Sequence, residues 1–493
     1  MKKYAYLALS ATLLTSLSFS QEEVNTSYWT GNTREGTSGW GLSSVAENWS
    51  TGTIPDANTN VVFDNEYLTG EKILSIHTTS GFTCNDYTVT SNYGGHQIRV
   101  DGTMTINGDF TTQTPGTVTL LSNGSNNSAA ILNIGGSVIV GVDGDITSNV
   151  SYLNIGETTS NQWGGWGGPK NVTIGGDIIM YELGKVSFNV NLKGRTADYS
   201  NPDIDVKGLI RFEGNGSTNP NLDIINASNP YISGDNKQYS IPVEVVLACN
   251  GISGNGVISN NSNGSLDNGP SKAILLLRND SDQYFAGWIQ DGQNCTTKIV
   301  MNGTATQYLT SVNKDPEKPT EGICFTGGLE IISGTLSMRY DHPINHGDLE
   351  MRGGKLKNDS VSSAWNVNFT NLIYEGGTIV SRWNGSNMDV ITLSGGLQKG
   401  AGFADGDKFL IEVAATDVSS LTDELVIAWD NAAQKTDFTE DDFEATYFEG
   451  YEALFNIKDD GLYLSYIAVP EPAAFAVMLG ALALGLCACR KRK

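Results

Sequence analysis

The fold predicted from the sequence is all-β: a right-handed parallel β-solenoid (β-helix) with a β cap at each end and one C-terminal transmembrane helix. Three observations lead there. Glycine occurs 57 times and Asn, Ser and Thr are frequent, which suits many short strands separated by turns. Long helical periodicity is missing before residue 469. A short glycine-centred pattern also recurs along the middle of the chain, so that region reads as a repeat array.

Residues 1–20 read as a secretory leader. Met1-Lys2-Lys3 is basic, Tyr4 to Leu17 is apolar and too short to span stably, and Ser18-Phe19-Ser20 has the small residues of a cleavage site. The mature chain is therefore expected to begin at Gln21. Residues 21–95 are expected to form an N-terminal cap rich in tryptophan. Trp29, Trp40 and Trp49 precede Gly52-Thr53-Ile54-Pro55 and Asn60-Val61-Val62-Phe63-Asp64. The end of a strand stack exposes edges that need covering, and large rings can cover them.

Residues 96–400 are assigned to the repeats. The pattern runs through Thr105-Ile106-Asn107-Gly108-Asp109-Phe110, Asn133-Ile134-Gly135-Gly136-Ser137-Val138 and Thr173-Ile174-Gly175-Gly176-Asp177-Ile178. Asp205-Val206-Lys207-Gly208-Leu209-Ile210 is a looser copy. Alternation on either side suits strands with one buried face. Glycine between them lets the chain bend where a side chain would meet the neighbouring layer. These copies lie roughly 28–40 residues apart, an interval expected to hold more than one turn of the coil. Further on, Gly334, Gly354 and Gly377 are spaced like single rungs. The segment Phe325 to Leu336, with Gly327-Gly328 and Gly334-Thr335-Leu336, resembles the autotransporter-associated β-strand repeat, and the next two copies resemble it less well. The opening tryptophan segment is similar to the N-terminal cap of repeat-bearing bacterial surface proteins. A glycine-rich antiparallel sandwich is the competing architecture.

Residues 401–468 are expected to be a C-terminal β cap. Thr439-Glu440-Asp441-Asp442 has the form of a capping box opening a short helix at Phe443. Ala453 to Ile457 and Leu462 to Tyr466 flank Asp459-Asp460-Gly461 as a hairpin. Residues 469–493 form a tail. Val469-Pro470-Glu471-Pro472 leads into an uncharged apolar run, Ala473 to Cys489, and then Arg490-Lys491-Arg492-Lys493. Such a run is near the lower limit for a spanning helix, roughly 17–25 residues, and the basic cluster is expected to stop it on the cytoplasmic side. This order resembles the PEP-CTERM sorting tail of bacterial surface proteins. The resemblance implies recognition at Pro470-Glu471-Pro472 by an exosortase-like membrane enzyme; a plain membrane anchor is the alternative.

Formal net charge is −24, and no basic patch offsets it, which sets nucleic-acid binding aside. Cys84, Cys249, Cys295 and Cys324 are widely spaced; three pairings are open, as is a buried free thiol at Cys249. His342 and His346 are separated by Pro343 and do not share a helix face for zinc. Asp143-Gly144-Asp145, Asp405-Gly406-Asp407 and Asp459-Asp460-Gly461 read as turns before they read as calcium loops. No cofactor or metal is expected.

An enzyme of the β-helical lyase or glycosidase kind would need carboxylates converging with Lys or Arg. The best candidates are Asp203, Asp205 and Asp223 near Arg195, Lys207 and Arg211, yet alternate carboxylates also describe any solvated strand. No G-x-S-x-G, phosphate loop or H-E-x-x-H is present. Trp163 and Trp166, set among glycines, are candidates for stacking on a sugar. A translocator barrel is not expected after the repeats. The reading is an exported, envelope-anchored structural or adhesive protein that contacts the membrane through its last helix and associates with extracellular polysaccharide. The alternatives are a β-helical carbohydrate-active enzyme or a glycan-binding protein.

Overall fold

The computed structural model describes residues 24–469 except 37–38, 80, 123–129, 145–149, 157–168, 170, 189–196, 215–219, 225–230, 233–237, 240–243, 261–270, 293–294, 312–321, 340–341, 359–364 and 430–435. The leader, Trp163, Trp166, Arg195, Pro470-Glu471-Pro472, the apolar run and Arg490-Lys491-Arg492-Lys493 lie outside the described residues.

The fold is all-β, with strands stacked mostly in parallel. One circuit is Thr103–Ile106, Phe110–Thr112 and Thr117–Ser122. The next is Ile131–Ile134, Val138–Val140 and Tyr152–Ile155, and each strand pairs in parallel with its counterpart. The chain thus visits three faces in turn and begins again one layer on. From Cys295–Leu309 to Leu372–Arg382 the first two strands run together as one long strand per layer.

Alternation buries one side of most strands, as in Thr103–Ile106, Ile131–Ile134 and Asn171–Ile174. On the first face the inward column is Phe82, Met104, Leu132, Val172, Ile204 and Leu247. It continues through Leu275, Ile299, Leu329, Leu349, Leu372 and Leu397. All are buried. The third face carries a matching column, Val118–Leu153–Val186–Leu222–Ile258–Ile289–Ile323. Each fully buried aliphatic side chain contributes about 1.5–3 kcal/mol, and only when it meets its counterparts above and below.

The corner between the first two faces keeps that register. Gly136 donates its N–H to Gly108 O at 2.9 Å, Gly176 to Gly136 O at 2.8 Å and Gly208 to Gly176 O at 3.0 Å. A Cβ on Gly135 would stand 2.3 Å from Asn107 O, and one on Gly175 would stand 2.2 Å from Gly135 O. Glycine is required here by close backbone approach. Beside it runs a ladder of side-chain acceptors. Asp86 takes the Asp109 N–H at 2.9 Å, Asp109 the Ser137 N–H at 2.7 Å and Asp177 the Leu209 N–H at 2.8 Å. Where the bend turns backbone carbonyls away, these carboxylates satisfy the donors instead.

Several expectations need correction. Intervals of 28–40 residues hold one turn, not several: Thr103 pairs with Ile131, Ile131 with Asn171, and Val172 with Ile204. The surplus length lies in loops. Nor does the pairing break at residue 95 or at 400. Asn25–Tyr28 already pairs in parallel with Thr59–Phe63, and Phe409–Ala414 joins both Leu372–Arg382 and Phe443–Ala445. The single-rung spacing holds where Thr335 pairs with Lys355 and Lys355 with Thr378. Trp29 and Trp49 turn inward and meet edge to face at 4.9 Å, whereas Trp40 starts a third-face strand. At the far end the hairpin Tyr451–Lys458 and Gly461–Ala468 adds antiparallel to Glu424–Trp429. Its connection is Asp459-Asp460, with Gly461 already paired to Lys458. The capping box is present, but it opens a single 3₁₀ turn, Glu440–Asp442, and Phe443 begins a strand. All four described cysteines are free and buried. Among the described residues no helix is long and apolar enough to cross a membrane.

His96 occupies the inward column of the third face, directly below Val118. Its Nδ1 faces Leu74 O at 2.6 Å and its Nε2 faces Tyr87 Oη at 2.6 Å. A carbonyl can only accept, so Nδ1 donates and Nε2 accepts from the tyrosine. Burial pulls the imidazole pKa down to about 4.

Gly175→Ala is expected to cost about 2–4 kcal/mol, because backbone rather than a movable side chain blocks the new methyl. Asp109→Ala is expected to cost about 1–3 kcal/mol and Asp109→Asn less, since the amide keeps an acceptor; denaturant unfolding measures both. As for pH, unfolded histidine titrates near ~6.5 and His96 near about 4. Between those values the unfolded chain binds the extra proton, so stability falls as pH drops through that window and levels below it. Thermal melts from pH 7 to 4 should show a smaller fall in His96→Gln than in the unaltered chain.

Candidate functional site

The acidic candidates do not converge. Asp203 is buried and accepts the Val246 N–H at 2.9 Å, a structural bond. Asp205, on the first face, is held by Lys207 at 2.5 Å and Arg278 at 2.6 Å. Burial works to raise its carboxyl, but those two cations prevail and keep it below the ordinary range. Arg211, on the second face, pairs instead with Glu213 at 2.5 Å and Asp177 at 3.6 Å. Asp223 lies on the third face and accepts from Ser259. Three carboxylates on neighbouring segments are thus spread over different faces and already engaged.

The cysteines are poor nucleophiles for a plain reason. Burial pushes Cys249, Cys295 and Cys324 to about 12 and raises Cys84 as well, so the thiolate is scarce near neutrality. His346 is buried between Phe325 and Phe369, with Nδ1 donating to Phe325 O at 2.9 Å. Among the described residues no group of His, Cys, Asp and Glu is arranged to hold a metal. Val469, the one described residue of Val469-Pro470-Glu471-Pro472, is exposed and donates its N–H to Gly450 O at 2.8 Å.

Two arrangements were not legible beforehand. The first is an ionic network on the outward side of the first face. Lys298 lies 2.7 Å from Glu330 and 3.1 Å from Glu350, and Arg352 reaches both carboxylates at 3.1 Å. Burial would lower the Lys298 pKa, but Glu330 and Glu350 outweigh it and hold the ammonium above its ordinary value. Tyr199 donates to Glu330 at 2.9 Å, and burial pushes its hydroxyl to about 12. With Ala197 it packs over Val246, Ala248, Ile274, Leu276 and Val300, a second apolar cluster outside the main core. The run Val245 to Cys249 is apolar throughout because both of its sides are covered.

The second is a groove of about 570 Å³ between the segment after Trp40–Leu42 and the first face. Ser43, Ser44, Thr83, Thr103 and Thr105 line it, with Ile54 and Pro55. Among the described residues no charged one lines it. The Thr-Met-Thr alternation at residues 103–105 was the available signal, but its partner wall comes from the fold.

No family model matches the chain, and no curated protein shows a significant match to it.

Tyr199→Phe removes the bond to Glu330 and is expected to cost about 1 kcal/mol. Hydrogen exchange should quicken across residues 197–203 while the inward columns exchange as before; unchanged exchange there would contradict the contact.

Proposed function

We propose that the chain is an exported, surface-anchored scaffold of structural or adhesive function, built as a right-handed parallel β-solenoid and associated with an extracellular matrix. The observation that carries this reading is the unbroken inward column from Phe82 to Leu397. An array of this kind gains stability by neighbour contacts and grows in length rather than around one globular core, which suits display of a long surface. The carboxylates at 203, 205 and 223 lend no support to the carbohydrate-active alternative, because they are bonded apart from one another.

Anchoring rests on the order Val469-Pro470-Glu471-Pro472, apolar run, Arg490-Lys491-Arg492-Lys493. The PEP-CTERM resemblance of that order supports processing by an exosortase-like enzyme, with the helix Ala473 to Cys489 in the membrane until then. Net charge −24 favours solubility and repels anionic polymers.

Cell fractionation with intact-mass measurement tests the reading. In an exosortase-bearing host the chain should be found in the envelope or medium, beginning at Gln21, and replacing Pro470, Glu471 and Pro472 by alanine should leave the tail attached. A full-length chain in the cytosol, with leader uncut and no lipid association, would overturn it.

A further inference from the structure

On the first face, Thr83, Thr105, Asn133 and Thr173 stand in register on successive layers. Their neighbours Phe82, Met104, Leu132 and Val172 are buried, so these four side chains point outward. None of the four makes a side-chain hydrogen bond among the described residues, and neither does Thr103. Threonines elsewhere are employed: Thr59 donates to Asp56 at 2.8 Å, Thr90 to Phe63 O at 3.1 Å and Thr30 to Glu47 O at 3.0 Å. The first-face hydroxyls therefore contribute no bond to the fold. Thr83, Thr103 and Thr105 line the groove of about 570 Å³ together with Ser43 and Ser44, and Asn133 and Thr173 continue the column beyond it. Ile54, which also lines the groove, is 50 % exposed.

We propose that this groove and the ladder above it bind an uncharged polysaccharide laid along the stack. Each hydroxyl both donates and accepts, which matches a ligand whose own polar groups are hydroxyls. Ile54 and Pro55 give an apolar wall for the C–H face of a sugar ring, in keeping with sites where a few polar groups orient a ligand packed on apolar surface. The chain has 54 acidic and 30 basic residues, yet among the described residues none of them lines this groove. A cation finds no carboxylate in it, and an anionic polymer meets the field of the whole molecule. Polar groups repeat at the layer spacing, ~4.8 Å, which suits a polymer with repeating hydroxyls better than a single small molecule. The ladder ends at Asp205, the next position in register with Thr173, where Lys207 and Arg278 take over the surface. The inference rests on the exported reading above, which sets the chain among extracellular polymers.

The test is retention of the full-length chain, purified in mild detergent, on cellulose, chitin and mannan, with alginate as the anionic comparison. Thr83→Val, Thr103→Val and Thr105→Val are combined in one variant. Valine preserves shape and strand preference, and a thermal melt checks that the fold is kept. The unaltered chain should be retained by at least one uncharged polymer, independently of salt. The triple variant should lose affinity by at least about tenfold, and Ile54→Ala and Asn133→Ala should each weaken retention to a lesser degree. Retention by none of the uncharged polymers, equal retention of the triple variant, or salt-sensitive retention on alginate alone would each overturn the proposal. Those results would leave the envelope location, read by fractionation, untouched. A cytosolic chain would undo the surface reading whatever the retention.

Discussion

Close backbone approach at the corner between the first two faces governs this molecule. Gly135 and Gly175 sit where a single methyl would strike the carbonyl of the preceding layer at 2.3 and 2.2 Å. That approach lets one layer rest on the next at hydrogen-bonding distance. It also places Val172 over Leu132 and Ile178 over Val138. The apolar columns are consequences of the corner. Were the layers to slip by one residue, every inward side chain would turn outward. The carboxylates of Asp86, Asp109 and Asp177 reinforce the same bend by accepting the N–H groups that the corner leaves without a carbonyl.

A stack held by neighbour contacts has two weak points, its ends, and both are closed with aromatic rings. At the start Trp29 lies against Trp49 and Phe63, and its indole N–H donates to Ile73 O at 2.7 Å. At the finish Tyr374 stacks on Phe409 at 4.0 Å, with Phe403, Phe438, Phe443 and Phe455 continuing the cluster. The antiparallel strands Tyr451–Lys458 and Gly461–Ala468 then occupy the edge of the third face. Parallel growth stops there because the added strand runs in the opposite sense. Charged groups contribute through a few buried or half-buried clusters, at Asp205 and at Glu330, instead of through scattered surface pairs, which are worth little.

The class of fold was legible in the sequence because its signals are local. Alternation and glycine density are readable without knowing what lies above or below. The rung length at Gly334, Gly354 and Gly377 was legible too, since those layers carry little extra loop. The earlier layers were misread as longer units because loops of unequal length separate strands that are direct neighbours, such as Ile131–Ile134 and Asn171–Ile174. Continuous pairing through 95 and 400 depends on partners distant in sequence, such as Val89 with Thr112 and Ile379 with Ile411. The candidate site was less accessible. Asp203, Asp205 and Asp223 look alike as letters and differ only in face and partner. The groove depends on residues of the segment from Ser43 to Pro55 lining the same space as Thr83 and Thr103, which no local pattern encodes.

Length along the stack is the property that separates this architecture from a glycine-rich sandwich, and one measurement reads it directly. Thr83 and Gln398 belong to the same outward column, eleven registered steps apart. Cysteines placed at these two positions, in a chain with Cys487 and Cys489 replaced by alanine, would take spin labels while the buried native thiols do not. Pulsed electron–electron resonance should give a separation of about 50 Å, and pairs chosen closer along the column should shorten by ~4.8 Å for each layer removed. A separation under about 30 Å, or one that does not scale with the number of layers, would contradict the stacked account.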